Sequence, residues 1–94
     1  MATVMMMHWP EVTPEKYEQV RRDVNWEGSA PQGAKFHVAW FGNDGFHVLD
    51  LWDSADDFNR FVEQRLRAGV EKANITSQPQ VQFAEAHAIF APNV

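Results

Sequence analysis

The chain has 94 residues, of which 45% are hydrophobic, and it contains no cysteine. Its formal net charge of -5 argues against nucleic-acid binding, which needs a basic surface, and the lack of cysteine excludes disulfides, thiol nucleophiles and CxxC sites. This length predicts one domain spanning residues 1–94, and so small a core favours pairing with a second copy.

The first third of the chain predicts a strand, a helix and a loop. A strand is expected from Thr3 to Trp9, with the methionines at positions 5–7 as adaptable core packing in a strand buried on both faces. Thr13 as N-cap and Pro14 at the first helical position predict a helix that reaches about Asn25. Residues 28–33, GSAPQG, have the composition of a loop.

The chain shows no sign of a membrane segment or a secretion signal. It contains no run near the roughly 18 apolar residues of a membrane helix. The opening MATVMMMHWP lacks the basic start and the long apolar stretch of a signal peptide. A cytoplasmic protein is therefore the default expectation.

The remaining two thirds predict a hairpin, a helix and a last strand. The run FHVAWFGNDGFHVLDLWDS, residues 36–54, reads as two strands about a turn at Gly42 to Gly45. Ser54 caps a second helix, which carries one apolar stripe of Phe58, Phe61, Val62, Leu66 and Val70. A strand from Val81 to Phe90 follows. The order βαββαβ predicts a ferredoxin-like α+β fold with a four-stranded antiparallel sheet.

The turn of the hairpin decides which side chains share a face. With a two-residue loop between Gly42 and Gly45, His37 faces Asp50 directly, and a charge-assisted pair is expected. A three-residue loop with a glycine bulge would instead set His37 opposite Leu51. In the favoured register one face combines this pair with apolar side chains and forms the wall of a small pocket: His37, Ala39, Phe41, Phe46, Val48, Asp50 and Trp52.

The other face of the hairpin is also largely apolar. Helices can cover only one face of the sheet, so the second face would expose about 300 to 500 Å² for two aromatic rings alone, at about 150 to 250 Å² each. We therefore expect a homodimer whose sheets pack face to face through Phe36, Val38, Trp40, Leu49 and Leu51.

The segment VLDLWDSADDFNRFV resembles the dimeric α+β barrel superfamily, in particular its antibiotic biosynthesis monooxygenase type. The similarity lies in a strand that ends in an acidic residue, one further residue and a Trp, followed by a Ser-capped helix, here Asp50, Trp52 and Ser54. The resemblance implies a pocket between sheet and helices that Trp52 lines. Similar proteins include oxygenases that act on phenolic polyketides without metal or flavin, and haem-degrading enzymes.

Two departures from these relatives bear on chemistry. The polyketide-oxidising relatives carry an Asn four residues before the Trp, whereas this chain has Val48. The haem-degrading relatives ligate iron through a His late in the second helix, whereas the matching run RAGVEKAN has none. We therefore expect no haem and no other cofactor.

The four histidines do not predict a metal site. None of their pairs has the short helical spacing of a metal motif, and His37 and His47 fall on opposite faces in the favoured register. His87 and Glu85 share a face of the last strand, where they would join either the pocket or the dimer interface.

Two functions remain open at this level. In the first, a homodimeric, cofactor-independent oxygenase or isomerase acts on a small aromatic or phenolic substrate. There His37 would be the general base, Asp50 would orient it, and Trp52, Phe41 and Phe46 would hold the ring. In the second, a non-catalytic or stress-related protein of the same fold binds a hydrophobic metabolite. The pair of His37 and Asp50 would equally serve as a structural ion pair.

Overall fold

The computed structural model describes residues 2–94 and shows a βαββαβ order. The strands are β1 (Thr3–Trp9), β2 (Ala34–Gly42), β3 (Gly45–Trp52) and β4 (Gln80–Glu85). The helices are α1 (Pro14–Val24), α2 (Ala55–Phe61) and α3 (Arg67–Lys72), and a π-helical turn (Val62–Leu66) joins α2 to α3.

The four strands form one antiparallel sheet in the order β2-β3-β1-β4. Helices pack on one face, which we call the inner face, and the opposite face is the outer face. The predicted ferredoxin-like α+β fold is confirmed. No helix within residues 2–94 combines the length and the apolar composition needed to cross a bilayer.

Local capping explains where α1 begins and ends. The Thr13 hydroxyl accepts a hydrogen bond from the Lys16 backbone N–H at 3.2 Å, and Pro14 occupies the first helical position. The helix ends at Asn25, which adopts the left-handed conformation with φ 58°. Both ends agree with the sequence-based prediction.

The second helical segment begins as predicted but contains an unpredicted π-helical turn. The Ser54 hydroxyl accepts from the Asp57 backbone N–H at 3.1 Å, and Phe58 and Phe61 are buried against the sheet. The π-helical turn then places Leu66 at the wall of the cavity described below. A π-helical turn forms where a backbone N–H bonds to the carbonyl five residues earlier instead of four. The spacing of apolar residues in the sequence does not reveal this change.

The hairpin has the favoured register. Gly42 pairs with Gly45, so Asn43 and Asp44 form a two-residue loop, and His37 pairs with Asp50. Gly45 has φ +108°, and a Cβ there would lie 2.8 Å from the Cα of Pro10. Glycine therefore allows the hairpin turn to lie against the end of β1.

The last strand is shorter than predicted. It ends at Glu85 instead of Phe90, and Ile89 and Phe90 are exposed. Glu85 pairs with Thr3, the first residue of β1, and the Ala86 N–H donates to the Ala2 carbonyl. Because β4 is an edge strand whose ladder partner is β1, it ends where β1 begins. The alternation of apolar residues along the sequence does not indicate that β4 ends at Glu85.

The two faces of the sheet differ sharply in burial. Residues 46, 48, 50 and 52 of β3 point inward and are all buried. In β1, Met5 is completely buried, whereas Met6 on the outer face is 40% exposed. The prediction that the methionine strand is buried on both faces is therefore wrong for the single chain.

Candidate functional site

An apolar cavity lies between the inner face of the sheet and the helices. It has a volume of about 270 Å³, just below the usual range for ligand pockets of about 300 to 1,000 Å³. The sheet supplies Phe46, Val48 and Trp52 to its wall, and the helices supply Val20, Phe61 and Leu66. The wall of the cavity is therefore largely apolar.

A chain of three hydrogen bonds runs along the wall of this cavity. The Trp52 indole N–H donates to Asp50 Oδ2 at 3.0 Å, and Asp50 Oδ1 lies 2.7 Å from His37 Nδ1. His37 Nε2 in turn lies 2.8 Å from the Tyr17 hydroxyl. The four side chains come from α1, β2 and β3, and together they form the main polar feature of an otherwise apolar wall.

The positions of the protons follow from what each group can donate. As a carboxylate, Asp50 only accepts, so His37 Nδ1 carries the proton of their shared hydrogen bond. In neutral His37, Nε2 then has a free lone pair and accepts the Tyr17 hydroxyl proton. Burial raises the pKa of Tyr17, which keeps its hydroxyl protonated. Asp50 thus holds the imidazole in the tautomer whose basic nitrogen faces the cavity.

Burial of Asp50 is compensated by these partners. The residue is 6% exposed, and an uncompensated carboxylate there would cost several kcal/mol. The His37 ring N–H and the Trp52 indole N–H each satisfy one of its oxygens. Among residues 2–94, no buried side-chain nitrogen or oxygen lacks a hydrogen-bond partner.

Aromatic rings surround His37 on the side away from Asp50. The Trp26 ring meets it edge-on, with ring centroids 5.4 Å apart. The Tyr17 ring packs on both Trp26 and Phe46, at 5.9 and 5.2 Å. These contacts leave the imidazole about one-third exposed and restrict its rotation.

The structure brings together most of the residues that sequence reasoning proposed for the site. His37, Asp50, Trp52, Phe46 and Val48 all line the cavity. Phe41 does not line it. Although its ring lies 5.1 Å from that of Phe46, Phe41 is 43% exposed.

Glu85 and His87 also lie away from the cavity. Glu85 ends the edge strand β4, and His87 follows it as an exposed residue. Neither is among the residues that line the cavity wall. Neither residue enters the mechanism proposed below.

Sequence reasoning missed Tyr17 and Trp26 as site residues. Tyr17 entered only as an apolar position of α1, and Trp26 was left in the loop after it. One available signal was that Tyr17 is an aromatic residue with a polar tip on the buried stripe of α1, where its hydroxyl needs a partner. For Trp26 the position depends on the left-handed turn at Asn25.

Potential metal ligands occur at two places in the described part of the chain. At the cavity wall, His37 Nδ1 and Asp50 Oδ1 are hydrogen-bonded to each other. Among residues 2–94, no third metal-ligating side chain forms a group with these two. A group of three potential ligands, His8, Asp44 and His47, lies at the hairpin end of the outer face. The cavity itself therefore has no evident metal-binding set among residues 2–94.

Comparisons with known proteins identify the fold but not the activity. No protein-family model and no curated protein matches the chain. Among solved structures, the chain is similar to SnoaB, a cofactor-independent oxygenase from Streptomyces nogalater. The TM-score is 0.65 at 15% identity, and the match covers 94% of both chains.

Two further structures show the same fold. A dimeric ferredoxin-like protein of unknown function from Thermobifida fusca has a TM-score of 0.64 at 20% identity, over 92% of both chains. A candidate antibiotic biosynthesis monooxygenase from Deinococcus radiodurans has a TM-score of 0.54 at 12% identity, over 97% of both chains. The chain therefore shares the ferredoxin-like α+β fold of these proteins, as its resemblance to monooxygenases of this type implied.

Proposed function

We propose that the cavity binds a small aromatic or phenolic metabolite and that the chain is a cofactor-independent oxygenase. The observation that carries this proposal is the contact between Tyr17 and His37. A phenol hydroxyl already lies 2.8 Å from His37 Nε2, at the wall of an apolar cavity. This is the distance at which a base accepts the proton of a phenolic substrate.

In the proposed reaction, the substrate hydroxyl takes the place of the Tyr17 hydroxyl at His37 Nε2. His37 accepts the phenol proton, and Asp50 stabilises the resulting imidazolium through Nδ1. The electron-rich phenolate then reacts with dioxygen at a ring carbon. One oxygen atom becomes a carbonyl of the quinone product and the other leaves as water, so the substrate supplies all the electrons.

The apolar wall contributes by holding the ring and excluding water. Trp52 and Phe46 are each 4% exposed and present flat surfaces to the cavity. Val48, where polyketide-oxidising relatives carry an Asn, adds only apolar contact. We therefore infer that the substrate is oriented mainly by stacking and by one hydroxyl at His37.

We further propose that the protein is a homodimer built on the outer face. Its similarity to a dimeric ferredoxin-like protein supports such an assembly. On the outer face Val38 is 40% exposed and Trp40 45% exposed, and Leu49 and Leu51 lie in the same rows. Phe36 pairs with Leu51 and also contributes to the cavity wall. A second copy would remove these apolar side chains from water.

The test combines ligand identification with an oxygen assay. Native mass spectrometry of the purified protein reports any retained molecule, and an oxygen electrode then follows uptake with a panel of dihydroxynaphthalenes. We expect His37→Ala to lower turnover by about 10²- to 10⁴-fold, the usual contribution of a general base. The exposed His87→Gln serves as the matched histidine control and should leave turnover unchanged. Equal turnover in the wild type and His37→Ala would refute the mechanism.

A non-catalytic binding protein is the second candidate. It is favoured by the finding that His37 Nε2 already has a partner in Tyr17. Calorimetric binding of a dihydroxynaphthalene that survives His37→Ala, without oxygen uptake by the wild type, would support this candidate and exclude the oxygenase.

A further inference from the structure

The outer face of the sheet carries a row of aromatic rings at the hairpin end. His8 of β1 pairs directly with His47 of β3, and Trp40 of β2 pairs with His47 from the other side. The two imidazoles stack with ring centroids 4.5 Å apart and an interplanar angle of 10°, and Trp40 stacks on His47 at 5.1 Å. The row therefore holds two imidazoles parallel and side by side.

Both imidazoles direct the same ring nitrogen towards Asp44. His47 Nε2 lies 2.7 Å from Asp44 Oδ1, and His8 Nε2 lies 3.7 Å from Oδ2. His8 Nε2 also lies 2.8 Å from the Asp44 backbone carbonyl. One ligand atom from each of the three residues lies within 4.8 Å of the others.

We propose that His8, Asp44 and His47 form a binding site for a divalent transition-metal ion, with zinc as the reference ion. Two imidazole nitrogens and one carboxylate are ligands that suit zinc, nickel and copper, whereas magnesium and calcium favour sites made of oxygen atoms. Three protein ligands leave a fourth position for water or an exogenous ligand.

Metal binding requires the two imidazoles to turn out of their parallel stack, because a bound ion lies in the plane of each ring that ligates it. Ligand atoms bonded to one ion at about 2.0 to 2.1 Å in a tetrahedral site are about 3.3 Å apart. Asp44 lies in the two-residue hairpin loop with its side chain 64% exposed, so its carboxylate can move between the imidazoles. The ring protons must move to Nδ1, because Nε2 has to present a lone pair to the metal.

The backbone holds the three residues together before any ion arrives. Asp44 lies next to Gly45, whose positive φ and close approach to Pro10 bring the loop against the end of β1. A Cβ at Gly42 would lie 3.1 Å from Asp44 Oδ1, so glycine there leaves space for the carboxylate.

The site is separate from the cavity. His47 and Phe46 are neighbours on opposite faces of β3, and only Phe46 lines the cavity. Zinc binding at the outer face therefore does not depend on the proposed oxygenase activity. Experiments can refute either proposal without affecting the other.

The first test is isothermal titration calorimetry of the untagged protein with zinc chloride. We expect one zinc ion per chain, and a loss of affinity of about tenfold or more in His8→Gln, His47→Gln and Asp44→Asn. The exposed His87→Gln is the matched control and should bind zinc like the wild type. Magnesium chloride should give no binding at this site.

A second measurement reports the coordination itself. Cobalt(II) should give visible absorption bands of a four-coordinate ion in the wild type and His87→Gln, and these bands should be absent in the double variant His8→Gln/His47→Gln. Circular dichroism of the double variant separates a lost site from a lost fold. Equal zinc affinity in the wild type and a folded double variant would overturn the proposal. One zinc per two chains would also overturn it, because that stoichiometry indicates a site between copies.

Discussion

His37 Nδ1 lies 2.7 Å from Asp50 Oδ1, and the two residues are direct cross-strand partners in β2 and β3. Asp50 also accepts from the Trp52 indole N–H, so one buried carboxylate orients both the His37 imidazole and the Trp52 ring. The tautomer of His37 and the orientation of the Trp52 ring therefore depend on the same carboxylate.

Asp50→Asn should lower both stability and turnover. The asparagine side chain has nearly the same volume, but only its oxygen can accept a hydrogen bond. Either the His37 ring N–H or the Trp52 indole N–H is then left without an acceptor. We expect the free energy of unfolding to fall by about 1 to 3 kcal/mol, measured by urea denaturation. Asp53→Asn is the matched control, because the exposed Asp53 side chain forms an ion pair with the surface Lys35 at 3.2 Å. A stability loss with unchanged turnover would reduce the pair to a structural role.

Tyr17 should ionise at a higher pH than a free tyrosine. Burial raises its pKa above the ordinary value of 10.0, and the chain contains one tyrosine, so tyrosinate absorbance reports this residue directly. The absorbance midpoint should lie above pH 10 in the folded protein and return to about 10 in urea. Because the folded state binds this proton more tightly, stability should fall as pH rises above 10. A folded-state midpoint at or below 10 would contradict the effect of partial burial on Tyr17.

Glu11 should stabilise the loop before β4 in a pH-dependent way. Its carboxylate accepts from the Thr76 and Ser77 backbone N–H groups and from the Ser77 hydroxyl, and the Ser77 hydrogen bonds lower its pKa to about 2. The folded state therefore favours the ionised form, so the stabilisation is complete above the ordinary glutamate pKa of 4.5 and is lost as pH falls towards 2.

Urea denaturation between pH 6 and pH 2 of the wild type and Glu11→Gln tests this prediction. The free energy of unfolding of the wild type should fall roughly between pH 4.5 and 2, and that of Glu11→Gln should fall less over the same range. Glu71→Gln, at an exposed helical position, should follow the wild type. Parallel curves for the wild type and Glu11→Gln would count against the role of Glu11.

Substitutions at Trp40 and Phe41 provide a controlled test of the proposed dimer interface. The two residues are adjacent, 45% and 43% exposed, and lie on opposite faces of β2. A charge at Trp40 would be buried against the partner sheet, so Trp40→Glu should weaken the dimer by roughly thirtyfold or more, from about 2 kcal/mol for an aromatic hot spot. Phe41→Glu should leave it intact. Sedimentation velocity over a dilution series distinguishes them, and equal dissociation of both variants would argue against an outer-face dimer.

Local sequence signals were sufficient for the order of elements and for the hairpin register. Thr13 and Ser54 mark helix starts because each hydroxyl accepts a hydrogen bond from the backbone N–H three residues later, and both caps are present in the structure. Gly42 and Gly45 flank two loop residues, and the period of two along a strand then sets His37 opposite Asp50. These signals involve residues that are close in sequence, so they can be recognised without knowledge of the tertiary structure.

Other features depend on which segments meet in three dimensions. The end of β4 at Glu85 is set by the start of β1, and the place of Tyr17 in the hydrogen-bond chain requires α1 to pack over β2. The meeting of His8, Asp44 and His47 joins residues 36 positions apart through the sheet order β2-β3-β1. Helix starts and hairpin register were thus predictable from the residues alone, because short-range backbone geometry specifies them. The grouping of side chains into sites required the folded chain, because it arises from the packing of segments that are distant in sequence.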